Sequence, residues 1–391
     1  MAWDGAVMRD DTAARPLSDL LIIDASDSIS GAFCAKVLAD LGATVVKLER
    51  PGGDALRHTA PFVGGEPHPE RSVLFLWLNT SKQSVCIDLE TEAGEAVLDR
   101  LLARADAVVL SGEQPRLDGD ALAQRFGHLV ITRITPFGPT GVHAGWLADD
   151  ITLLAMSGWM NTTGRPEREP LACGSLFAHT LPGLAAAAAT LMGLHARRRT
   201  GTGQLIDVSQ QEVLILTQPY TTVGYSYSRM ERARNGMPFP MTIVPAADGY
   251  LGINVLTQPQ WEALCAFAGQ LDLLDDERLT SPAARAPHSA ELTERFALWA
   301  STRPKAQTFS DGQGWRVPLG FVPHVSEVRA LEPHVARAFF DSPVHPEAGS
   351  VPLPAPPYLF AGKRPPTSPA PLLDEHLAGL TDSPTAQELA R

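Results

Sequence analysis

The feature that most constrains this chain is the order of its periodicities: short runs of branched apolar residues alternate with stretches whose apolar residues recur three and four apart. In LLIIDASDSISGAFCAKVLADLGATVVKLE (20–49), Leu20–Asp24 reads as a buried strand, Ala32–Leu41 as a helix and Thr44–Glu49 as a second strand, with Gly42 placed to stop the helix. The pattern repeats, with Ser84–Asp88 a strand, Glu92–Ala105 a helix, Ala107–Leu110 a strand, and further strands at Leu129–Ile134 and Leu205–Val208. Strands separated by helices cannot pair as hairpins, so the pattern predicts an α/β fold with a mainly parallel sheet covered on both faces.

A chain of 391 residues exceeds an ordinary single core, and its composition changes along its length. Gly, Pro and Asn concentrate in RMERARNGMPFPMTIVPAADGY, which marks a boundary. Beyond it come a strand at Tyr250–Val255, a helix from Pro259 to about Gly269 and another near Ser289–Ala300. From about residue 335 the chain is rich in proline and is expected to run extended over a surface. The expected division is residues 1–225, a smaller α+β domain at 226–330, and a segment at 331–391 that returns to the first domain.

A net charge of −12 repels nucleic acids and anionic membranes, so neither is an expected partner. The polar, acid-bearing N-terminus has no signal-peptide character, and the longest apolar stretch, Leu184–Leu194, is short and alanine-rich, so a cytoplasmic location is expected. Cys34, Cys86, Cys173 and Cys265 form no ligand-spaced cluster, and no metal site is expected.

Seven ordered motifs carry a resemblance: LADLGATVVKLERPGGDALR (38–57), LNTSKQSVCIDL (78–89), FGPTG (137–141), DITLLAMSG (150–158), RRRTGTGQLIDVS (197–209), ADGYLGINV (247–255) and GFVPHVSEV (320–328). Together they resemble the class III CoA-transferase family, which includes 2-methylacyl-CoA racemases. The resemblance implies a Rossmann-like large domain, a smaller central domain and an interlocked homodimer, with coenzyme A entering as an acyl-CoA substrate. It also implies Arg50 and Arg57 near the CoA phosphates and adenine, loop contacts from Asn79 and Lys82, and Ser111 in place of an asparagine that holds the CoA chain. The chemistry agrees in kind, because an acidic protein that binds phosphates needs local cations and helix N-termini.

Counting back from the RTGTGQ motif, the resemblance puts His179 where the family carries a nucleophilic aspartate. An imidazole can attack a thioester, but it has no carbonyl carbon on which CoA could ride. The racemase branch pairs that aspartate with an earlier histidine, and Asp149 stands there, followed by Asp150. Asp149 and His179 thus exchange residue types and still offer an acid and a base for α-proton chemistry. The alternative is a catalytically silent CoA-binding paralogue, or a partner subunit of an aspartate-bearing homologue. His179 is read as lying just before an alanine-rich helix that begins near Leu181–Gly183, where the helix dipole disfavours an imidazolium. Met156, Met160 and Phe177 are expected to shape the acyl pocket.

Overall fold

The computed structural model describes residues 15–112, 116–174, 176–229, 231, 234 and 241–377. The chain opens with β1 (Leu21–Ser26), α1 (Ile29–Asp40) and β2 (Thr44–Glu49). α1 begins three residues before the expected Ala32, because the Ser28 hydroxyl accepts from Gly31 N and caps the helix there. There follow α2 (Val73–Leu78), β3 (Lys82–Cys86), α3 (Glu92–Arg104), β4 (Ala107–Ser111), α4 (Gly119–Arg125) and β5 (Val130–Thr135). The next elements are α5 (Asp150–Met156), α6 (Trp159–Thr162), α7 (Phe177–Thr200), β6 (Gln204–Ser209), α8 (Gln210–Leu216) and α9 (Pro219–Ser228).

The six strands form one sheet in the order β3-β2-β1-β4-β5-β6, every pair parallel. The central strands are buried on both faces, which explains the short apolar runs Ile22–Ile23, Val45–Val46 and Ala107–Leu110. Ile22, Val109 and Val130 pack with α1 and α7, whereas Ile23, Val108 and Ile131 pack with α3 and α4. Burying this many branched side chains, at about 1.5–3 kcal/mol each, is the main stabilising term of the sheet.

α7 corrects one expectation, since it begins at Phe177 and places His179 inside its first turn. At 24 residues it is also long and apolar enough by composition to cross a membrane, so the shortness read from Leu184–Leu194 does not hold. Its Ala186, Ala187 and Leu194 are buried against Cys34, Ala35 and Leu38 of α1, as in a core helix.

The chain divides into two compact units, one holding residues 1–163, 170–233 and 338–391, the other 164–169 and 234–337. The composition alone places the divisions at 226 and 331. In the smaller unit, β7 (Met241–Ala246), β8 (Gly249–Asn254) and β9 (Leu319–Val322) form an antiparallel sheet in that order. β7 lies within the Gly-, Pro- and Asn-rich stretch that reads as a boundary, yet it is an edge strand, where Pro245 removes no required donor. The unit's core gathers Trp261 and Cys265 of α10 (Gln258–Ala268) with Leu292 and Phe296 of a helix at Ser289–Ala300.

In the larger unit the proline-rich segment returns to the edge strand β3. Ser81 N donates to Ser368 O at 3.1 Å, and Cys86 N to Asp374 Oδ1 at 2.8 Å.

Candidate active site

In a parallel sheet the carboxyl ends of the strands all open on one side, and the strand order reverses between β1 and β4. Crevices at that point are the usual ligand sites of such sheets. Two cavities of about 300 and 330 Å³ lie at these ends, one beyond β1, β2 and β3 and the other beyond β4 and β5.

The first cavity is lined by Asp27, Arg50, Pro51, Asp88, Glu90 and Arg116, among others. Arg50 is exposed at its rim, with Nη2 donating to Asp27 Oδ2 at 3.2 Å. Arg116, which the motifs did not single out, pairs with Glu90 and lies 3.8 Å from Glu95. These two arginines are the cations of the cavity wall.

Three residues expected beside them are committed elsewhere. Arg57 is 0% exposed: its Nε and Nη2 donate to Glu49 at 2.6 and 2.8 Å, Nη1 to Glu70 at 2.6 Å, and Nη2 also to Pro371 O at 3.2 Å. Lys82 is buried and donates to Asp24 Oδ2, Ala32 O and Asn79 Oδ1 at 2.7–2.9 Å, which uses all three of its protons. Asn79 is buried as well, its amide donating to Phe75 O. The expectation that Arg57, Lys82 and Asn79 touch a ligand is therefore corrected, because none of them has an exposed, uncommitted donor.

What these residues build is a buried ionic cluster beneath the cavity. Lys47 lies 2.5 Å from Asp54 Oδ2 and 3.9 Å from Asp24 Oδ2, and Ser84 Oγ donates to Glu49. Burial pushes the Asp24 carboxyl up, but Lys47 and Lys82 pull it further down and hold it below the usual carboxylate range. Glu49 is likewise raised by burial and brought below its ordinary value by Arg57. Lys47 is pushed down by burial and raised above the ordinary lysine value by Asp24, Asp54 and Glu49. Such a cluster keeps its charges only because every member is paired.

The second cavity is lined by Ser28, Ser111, Gly112, Phe137, Trp146, His179 and Gln210, with Ile134, Leu147 and Ala148 adding apolar wall. Ser111 ends β4, and its hydroxyl is 2.6 Å from that of Ser28 at the head of α1. Gly31 permits this approach, since a Cβ there would lie 2.3 Å from Ser26 Cβ and 2.9 Å from Ser111 Cβ. The loop after β5 folds into an aromatic group, with His143 and Trp146 ring centroids 4.1 Å apart, and gives Trp146 to the wall. Met160 and Phe177 pack with Trp159, Leu153 and Leu214 in a small separate core, and Met156 is exposed; none of the three is on the wall of this cavity.

His179 is carried by the first turn of α7, immediately after Leu176, whose φ of 63° is left-handed. A side chain held there costs about 1 kcal/mol, a strain that fixes the entry angle of the helix bearing the imidazole. Asp150 Oδ1 accepts from Ala178 N at 3.2 Å and ties α5 to that turn. Asp149 is exposed and caps α5, its Oδ1 accepting from Thr152 N at 3.0 Å and Thr152 Oγ1 at 2.8 Å. Those bonds hold its carboxyl below the usual range. Burial pushes the His179 imidazole below its usual pKa, against the opposite pull of Asp150 and Asp149. Behind it, Nδ1 is 3.5 Å from Ser30 Oγ, and Gln210 Nε2 donates to that same hydroxyl. Ser30, Gln210 and Trp146 were not singled out as site residues, and no local pattern marks them. They are assembled from α1, α8 and a loop.

Among the described residues, no three His, Cys, Asp or Glu side chains are grouped as a metal site would require. The sequence profile described as CoA-transferase family III matches residues 17–377. Succinyl-CoA–D-citramalate CoA-transferase of Chloroflexus aurantiacus is 30% identical over 351 residues, covering 86% of this chain and 86% of that protein. Succinyl-CoA:(R)-benzylsuccinate CoA-transferase subunit BbsE of Thauera aromatica is 29% identical over 363 residues, 88% of each chain. A solved CAIB/BAIF family protein from Brucella suis superposes with a TM-score of 0.83 at 30% identity, covering 95% of this chain and 98% of that one.

Proposed function

Because the chain belongs to CoA-transferase family III, we propose that it acts on an acyl-CoA thioester through a site in which His179 takes the place of the nucleophilic carboxylate. Arg50 and Arg116 receive the phosphates of CoA at the first cavity, and the thioester lies in the second, beside Ser111 and His179. The carrying observation is the half-buried imidazole of His179 on the wall of that cavity, within reach of Ser30 and beside the Asp149–Asp150 turn. Transfer by way of a CoA thioester on residue 179 is closed to it, because imidazole lacks the acyl carbon that such an intermediate requires. The reading that remains open to these residues is chemistry at the α-carbon, with His179 and Asp149 as the polar pair and epimerisation as the outcome. The protein works in the cytoplasm as an interlocked homodimer, an assembly that sedimentation of the purified chain tests directly.

The experiment is α-hydrogen exchange. The protein is incubated in D₂O with a panel of 2-methylacyl-CoA thioesters, and mass spectrometry follows the label beside His179→Ala. Exchange by the wild type alone is expected. Binding of CoA without exchange of any thioester would overturn the α-carbon reading.

A second reading is favoured by two observations. The Thauera relative is named as a subunit, and the Asp149 carboxylate is engaged as a helix cap. In that reading the chain binds CoA and pairs with an aspartate-bearing homologue. Co-expression with such a homologue then gives a stable complex that His179→Ala leaves intact.

A further inference from the structure

Ser30 lies on the first turn of α1, fully buried, with Oγ 3.5 Å from His179 Nδ1. Gln210, buried at the start of α8, donates its Nε2–H to the same Oγ. A serine hydroxyl has one proton to give. The amide N–H of Gln210 cannot accept it, whereas an unprotonated Nδ1 can. We propose that Ser30 and Gln210 are positioning residues that hold His179 in the Nε2–H tautomer, so that the ring presents an N–H donor to the second cavity. In that form the imidazole holds the oxygen of the thioester carbonyl and stabilises the negative charge that develops there, and the Asp149 carboxylate, the other member of the pair, takes the α-hydrogen as a proton. The arrangement resembles the orienting partner of a catalytic histidine, with the sense of the hydrogen bond reversed. This assignment deepens the acyl-CoA reading of the site and rests on it for the identity of the carbonyl.

The tautomer can be read without substrate. Protein labelled with ¹⁵N-histidine is studied by long-range ¹H–¹⁵N correlation at neutral pH, with His179 identified by comparison with His179→Gln. The wild type is expected to show an unprotonated Nδ1 and a protonated Nε2. Gln210→Glu replaces the amide donor by an acceptor, which captures the Ser30 proton and turns the ring to the Nδ1–H form. Ser30→Ala removes the constraint and gives a mixture, and it serves if Gln210→Glu does not fold. A wild-type ring protonated at Nδ1, or a ring unmoved by both variants, overturns the proposal. Adding CoA to the same labelled sample separates the two readings: no spectral change would count against the acyl-CoA ligand and leave the tautomer assignment standing.

Discussion

Arg50 and Arg57 sit in one motif and were read alike, yet their side chains have opposite fates. Arg50 is exposed beside a cavity, whereas Arg57 is enclosed by Glu49, Glu70 and the ring of Phe75. Their substitutions should separate cleanly. Arg57→Met strands two buried or half-buried carboxylates and is expected to lower stability by about 3–5 kcal/mol. CoA affinity of the molecules that remain folded should not change. Arg50→Ala should leave the melting temperature unmoved and weaken CoA about tenfold, the loss of one charge-assisted contact. Thermal melts with calorimetric CoA titration of both variants check this, and a weakened CoA titration of folded Arg57→Met would return that residue to the ligand. His179 shows the same limit of residue-level reading. Its type and place in the chain were legible, but Ser30 and Gln210, which set its chemistry, come from elements 149 residues before Nδ1's carrier and 180 residues from one another.

At the scale of elements, the site depends on how closely α7 approaches α1. Gly183 makes that approach possible: a Cβ added there would stand 2.6 Å from the carbonyl oxygen of Ser30 and 3.1 Å from Phe33 Cβ. Gly183→Ala should therefore lower stability by about 1–2 kcal/mol, the overpacking cost exceeding the better helix propensity of alanine. Because the contact is with Ser30, the His179 resonances should shift as well. Gly224 of α9 provides the matched control, since nothing stands within 4 Å of a Cβ there. Gly224→Ala is expected to stabilise by up to about 1 kcal/mol. Opposite signs for one substitution in two helices would show that packing, and not propensity, decides at Gly183. The start of α7 was misplaced from sequence for a related reason. No side-chain cap marks Phe177, and the turn is held instead by Leu176 in a left-handed conformation and by Asp150 reaching across from α5.

For the molecule as a whole, the buried ionic cluster sets the response to acid. Asp24 and Glu49 have folded pKa values below those of an unfolded chain. Their stabilising contribution is therefore complete above the unfolded carboxylate range, about pH 4, and is lost as pH falls through the lowered folded values. Lys47, raised above the ordinary lysine value of about 10.4, keeps its contribution until pH rises beyond that range. Urea melts should accordingly show a shallow loss of stability as pH falls below about 6.5, where His179 and His345, lowered in the fold, resist protonation, and a steep fall below about pH 4 that Glu49→Gln should reduce. An equal slope in the variant would mean that Glu49 is not among the groups responsible. The cluster also marks where sequence reading ended. The alternation of strand and helix was legible because it is a local matter: period-two and period-3.6 burial is written in neighbouring residues, and it was enough to specify a parallel sheet, the main helices and the family motifs. Which charges face a ligand was not, because Arg57 and Lys82 look identical on paper whether solvated or enclosed. Arg57 is closed off in part by Pro371, 314 residues away, and Lys82 by Asp24 and Ala32 of other elements. Burial of a charge is decided by partners brought together only when the sheet closes and the C-terminal segment returns to its edge.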